Sequence, residues 1–145
     1  MEKISFNTGV KEYQLGELGT LRANFSDPNF CDRFVKGTDV ISQIEKEVKE
    51  KEETLDKNDT KSILNLLNDF DSKVKDELNK IFLLGNDFHK LCGGMNLLAV
   101  ADNGKNLLTN LLNALAPLIK DGIKQYSDAQ VKDAKMARNA RRDNQ

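Results

Sequence analysis

In SDPNFCDRFVKGTDVISQIEKEV, residues 26–48, the apolar side chains Phe30, Phe34, Ile41, Ile44 and Val48 recur at alternating three- and four-residue steps. That spacing puts them on one stripe of an α-helix. Ser26-Asp27-Pro28 supplies a start signal, with a capping side chain followed by a proline whose missing N–H costs nothing in the first turn. Gly37 stands where the stripe calls for an apolar residue. It either admits another backbone closely or splits the helix, with Thr38 or Asp39 as a new cap, and the continuous helix is the favoured expectation. Past Val48, the segment KEKEE is almost wholly charged and reads as a solvated extension.

Going toward the C-terminus, LDKNDTKS (55–62) breaks the pattern, because its Asp, Asn and Thr side chains favour a turn and a fresh cap. Ile63, Leu67, Phe70, Val74, Leu78 and Ile81 then resume helical spacing as far as Leu84, where Gly85-Asn86 gives a stop. Two helices joined by so short a polar turn pack antiparallel, so residues 26–84 read as a helical hairpin. Beyond it, Asn86 or Asp87 caps a short turn carrying Phe88 and Leu91, and Gly93-Gly94 ends that turn. Leu97, Leu98 and Val100 follow, with a further turn at Asp102-Asn103-Gly104. A last helix holds Leu107, Leu108, Leu111, Leu112, Leu115, Leu118, Ile119 and Ile123, and Pro117 is expected to bend it. More than half of its circumference is apolar, which suits a central core helix or one shared with a neighbouring subunit.

Toward the N-terminus the period changes. Ile4 and Phe6 alternate with polar neighbours, Thr8-Gly9 offers a turn, and Tyr13 and Leu15 alternate again. After Gly16–Gly19, residues Leu21, Ala23 and Phe25 suggest a further strand. The expectation is an antiparallel sheet of two or three strands within residues 1–25, covered by the helices because so small a sheet does not stand alone. The fold class is therefore α+β, mainly α. One domain spans 1–126, divided into the sheet (1–25), the helical hairpin (26–84) and a short helix with the last core helix (85–126). Residues 127–145 are polar and partly basic, too poor in apolar side chains to be held by core packing, and are expected to be a frayed or flexible tail.

Composition narrows the function. Twenty-two Lys plus Arg nearly cancel 23 Asp plus Glu, so net charge favours neither nucleic acid nor a membrane surface. The richest apolar stretch, 107–119, is broken by Thr109, Asn110, Asn113 and Pro117 and falls short of the roughly 20 apolar residues of a membrane span. MEKISFNTG lacks the apolar run of a signal peptide, and two cysteines do not make a disulfide framework. His89 is the sole histidine, so a multi-histidine metal site is nearly excluded, and a serine–histidine triad would have to be built on that one ring and is not expected. His89 with Cys92 is half a zinc site at most. Gly93-Gly94 lacks the Lys-Ser/Thr ending of a phosphate loop. Glu45, Glu47, Glu50, Glu52 and Glu53 alternate with lysines, as on an exposed helix face. The tail cations Lys132, Lys135, Arg138 and Arg142 are diluted by acids and lack aromatic partners, so nucleic-acid binding is not expected. The sequence therefore points to a non-enzymatic protein without metal or cofactor, working through surfaces.

Three stretches, KISFNTGVKEYQL (3–15), LRANFSDPNFCDRF (21–34) and FLLGNDFHKLCGGMNLLAVADNGKNLLTNLLNALAPLI (82–119), together resemble the small tail assembly chaperones of long-tailed bacteriophages and prophages of Gram-positive bacteria. The third block carries the most weight, with its helix, small-residue turn, short apolar stretch and final amphipathic helix. The chain departs from that pattern at Leu84 and Cys92, where aromatic residues are expected. The resemblance implies a homo-oligomer in the bacterial host cytoplasm that binds the tape-measure protein and keeps it soluble until tail-tube subunits displace it. A structural component of the particle, in the tail or at the head–tail junction, is the alternative. Leu108, Leu112, Leu115 and Ile119 of the last helix are the residues expected to meet the client or a second copy, with the intramolecular core as their competing place.

Overall fold

The computed structural model describes the backbone of residues 1–143 and the side chains of residues 1–138. Strand β1 (Lys11–Gln14) pairs antiparallel with β2 (Thr20–Ala23), and helices α1 (Pro28–Thr54), α2 (Thr60–Phe82), α3 (Phe88–Leu91) and α4 (Leu107–Asp143) follow. The class is mainly helical with a small N-terminal sheet, as the sequence indicates.

The start of α1 is set as expected: Asp27 caps it, its carboxylate accepting from the Asn29 N–H at 2.9 Å, and Pro28 fills the first turn. The helix runs unbroken through Gly37 because that glycine is a contact point. A Cβ there would meet the Ile81 side chain of α2, so the missing side chain lets the two helices close. The hairpin is antiparallel: Gly37 lies against Ile81, while Glu47, later in α1, is near Lys73, earlier in α2. Asp59 caps α2, accepting from both the N–H and the hydroxyl of Ser62. The helix stops at Phe82, two residues before the expected end. Leu83 and Leu84 both take positive φ (52° and 55°), and the reversal is completed by Gly85.

The sheet corrects the expected turn. The two strands are the second and third segments of the sequence reading, joined through the expected Gly16–Gly19 stretch, while the first segment does not pair and Thr8-Gly9 joins no strands. Gly16 supplies the positive φ, and the Leu15 N–H donates to the Gly19 carbonyl at 2.7 Å. Gly19 also touches α3, since a Cβ on it would press on Leu91. Gly9 does take a positive φ of 72°, but Asn24 holds the segment by donating to the Thr8 carbonyl, and no strand precedes it. Ile4 and Phe6 are exposed. An alternating pair of apolar residues marks strand propensity, and without a partner edge the propensity is not used.

Edge-on and tilted rings tie the layers together. Tyr13 to Phe25, Phe25 to Phe30, Phe30 to Phe82 and Phe82 to Phe88 are each 5.1–5.4 Å between centroids. This line runs from the sheet across α1 and α2 to α3, and such pairs add about 0.5–1.5 kcal/mol each beyond the area they bury. The core closes with Ile41, Val74, Leu78 and Ile81 between α1 and α2, and with Leu97, Leu108, Leu115 and Ile119 from the C-terminal third.

The described part of the expected tail is helical: α4 continues through residue 126 to Asp143, and residues 144–145 lie outside the described residues. Residues 127–138 are exposed, so packing does not hold them. Eight of these twelve residues are alanine, lysine, glutamine, methionine or arginine, which favour helix on local grounds. Pro117 interrupts one backbone bond without ending the helix, and the carbonyl it leaves free belongs to exposed Asn113.

Candidate apolar cleft

The β1–β2 turn, the 92–97 loop and the first half of α4 leave an open cleft of about 550 Å³ between them. Tyr13, Leu15 and Leu18 form one wall, Met95 and Leu97 an end, and Leu107, Leu111, Ala114 and Leu118 the opposite wall. Leu21, Phe25 and Leu115 make the floor. Among the described residues, Glu17 is the single charged side chain on the lining, and the other polar side chains are Gln14, Asn110 and the Tyr13 hydroxyl, apart from the Cys92 thiol.

The periodicity of α4 explains both walls. Leu107, Leu111, Ala114 and Leu118 lie at i, i+4, i+7 and i+11, one stripe that faces the cleft. The expected contact residues belong to the adjacent stripe. Leu108, Leu115 and Ile119 are buried in the protomer core, and Leu112 is half-buried against it. Within the protomer they thus take the competing place, the intramolecular core, and of the four Leu115 also reaches the cleft floor. An over-wide apolar helix face announced two stripes, but periodicity alone does not say which one the rest of the chain covers. Leu15, Leu18 and Met95 had no such signal, because turn and loop residues carry no period.

The cleft is held open by polar pins on its outer side. Lys75 on α2 is buried and donates to Asp71 Oδ2 at 2.7 Å and to the Met95 carbonyl at 2.8 Å. The other oxygen of Asp71 accepts from the Leu97 N–H at 2.8 Å, and Asn96 donates to the Leu67 carbonyl. These contacts lock the 95–97 loop to α2, so one end of the cleft rests on a helix. Near the middle of α4, Gly122 lets the Phe25 backbone carbonyl sit directly on the helix.

Side chains with chemical potential are scattered. His89 Nε2 lies 2.8 Å from Asp76 Oδ1 on the exposed face of α2 and α3. Burial pushes the Cys92 thiol up from its ordinary value, so it stays protonated at neutral pH and is a poor nucleophile. Burial, helped by Asp27, does the same at Cys31, whose thiol lies against the Phe25 carbonyl. Both cysteines are free. Gly93 and Gly94, with φ of 62° and 78°, terminate α3 as expected. Among the described residues no group of three or more His, Cys, Asp or Glu could hold a metal ion. No helix among them is long and apolar enough to cross a membrane. What the cleft offers is an apolar surface about as large as a small-molecule or side-chain pocket, with few polar groups to orient a reacting atom.

No family model, no curated protein and no solved structure matches this chain.

Proposed function

We propose that this protein is a non-catalytic binding protein whose working part is the cleft between the β1–β2 turn and α4. More particularly, it serves as a phage tail assembly chaperone, shielding apolar helical segments of a tape-measure protein in the host cytoplasm until the tail tube encloses them. The observation that carries the reading is the cleft itself: an open groove lined by leucines, an alanine, a methionine and an aromatic ring, with one charged residue on its lining. An amphipathic helix recognises such a groove by laying two or three apolar side chains into it. The sequence resemblance of residues 3–15, 21–34 and 82–119 supplies the identity of the client.

The test is co-purification. With a tape-measure protein from the same phage or prophage as client, the wild-type chain is expected to keep it soluble and be retained with it. Ala114→Asp and Leu118→Asp, which put charges on exposed cleft-wall positions, are expected to lose it while remaining folded. Retention by both variants would refute the cleft as the binding surface. The alternative role, a structural component of the particle, separates by one observation: a chaperone is absent from purified mature particles.

A further inference from the structure

The sheet has one closed edge and one open edge. On β2, Asn86 imitates a third strand: its side chain accepts from the Arg22 N–H at 2.9 Å and donates to the Arg22 carbonyl at 2.7 Å. Arg22 therefore faces outward, and Glu12, directly opposite it, must face outward on the other side. With the strand alternation, the N–H and C=O groups of Glu12 and Gln14 point away from β2, and among the described residues no further strand joins the sheet. Such an edge is a template for pairing with another chain.

The open edge borders the apolar cleft, because Tyr13, Gln14 and Leu15 of β1 and its exit line the cleft opposite α4. The same molecule carries a segment that could match it as a strand. Residues 1–9 are exposed and belong to no element, and Ile4 and Phe6, two residues apart, are 88% and 77% exposed. Alternation puts both side chains on one face of an extended segment. In any antiparallel register that sets them opposite Tyr13 and Leu15, that face is the cleft face. The bend that would fold the segment back onto its own β1 is spent differently, since Asn24 ties the Thr8 carbonyl toward β2.

We infer that residues 3–7 of one copy add as a strand to the β1 edge of a second copy and seat Ile4 and Phe6 in its cleft. A formal net charge of −1 leaves little general repulsion between copies. The strand bonds set the register, and the two apolar side chains supply most of the affinity. The inference uses only this chain's residues and does not depend on the identity of a client.

Sedimentation of the full chain over a concentration series, with hydrogen exchange at the Glu12 and Gln14 amides, tests it. The wild type is expected to self-associate and to protect both amides as it does. Ile4→Asp/Phe6→Asp, at exposed positions, is expected to keep the wild-type circular dichroism and weaken association roughly hundred-fold or more, since two large apolar side chains stop being buried. Glu12→Pro, which removes an outward N–H without touching the β1–β2 ladder, is expected to do the same. A wild type that stays monomeric overturns the inference, as does self-association that neither variant weakens. Protection of Glu12 and Gln14 in the monomer would show the segment folding back on its own strand, and overturns it too.

Discussion

The Phe25 backbone carbonyl rests on Gly122 of α4 so closely that any Cβ at position 122 would collide with it. This contact fixes where α4 crosses the sheet, and hence how far the cleft wall stands from β1. An obstacle made of backbone does not swing away as a side-chain tip would. Gly122→Ala gains about 1 kcal/mol of helix propensity. It must nonetheless displace α4 or the Phe25 segment, an overpacking cost of about 1–3 kcal/mol or more. Net destabilisation is expected, read as a lower urea midpoint with an unchanged slope. A stabilised Gly122→Ala would mean that the helix does not lie against Phe25.

Lys75→Met removes a buried ammonium while leaving Asp71, whose side chain is 17% exposed, without its cation. Breaking a buried pair from one side costs about 3–5 kcal/mol, and the partial exposure of Asp71 places the expectation near the lower figure. Asp71→Ala should cost at least as much, because it also orphans the Leu97 N–H. Urea unfolding of the two variants measures both. A loss under about 1 kcal/mol for each, the value of an exposed pair, would contradict the burial.

Stability should fall at acid pH partly through Asp59. Its hydrogen bonds to the Ser62 hydroxyl and N–H hold the carboxyl below its ordinary value of 3.8. A depressed folded value stabilises the protein fully above the unfolded value, and that contribution disappears as pH falls below 3.8 through the folded value. Asp59→Asn retains a capping oxygen without a titrating group. Its melting temperature is expected to vary less than the wild type's over this window, and equal acid sensitivity would remove Asp59 as a contributor.

The two thiols should separate by accessibility. Cys31 is half-buried on α1 and Cys92 is buried below the cleft, both with raised values and therefore little thiolate at neutral pH. A disulfide reagent at neutral pH is expected to modify Cys31 slowly and Cys92 only in denaturant. Rapid reaction of Cys92 in the native protein would mean that the cleft floor opens readily.

The helical hairpin was legible because its information is local. The Asp27-Pro28 start, the Asp59 turn and the stripes Phe30–Val48 and Ile63–Ile81 each act within a few residues. Gly37 was readable as an anomaly in a stripe, although its partner Ile81 was not. Thr8-Gly9 and Gly16–Gly19 both offer a glycine, and distant groups decide which one joins strands: Asn24 claims Thr8, and Leu91 leaves Gly19 no room for a side chain. The same limit governed the cleft. Leu108, Leu115 and Ile119 and their neighbours Leu111, Ala114 and Leu118 have equivalent spacing, and only the position of the sheet and the 95–97 loop decides which stripe is covered. Lys75 and Asp71 stand four residues apart on α2, and nothing in the local sequence places Met95 and Leu97 over them.

Co-expression with the tape-measure protein tests the central claim most directly, with the soluble fraction of that client as the readout. The account predicts that the wild-type chain raises the soluble fraction and co-purifies with it, and that Ala114→Asp and Leu118→Asp, still folded by circular dichroism, do neither. A client left insoluble beside the wild-type chain, or rescued equally by the two variants, would contradict it.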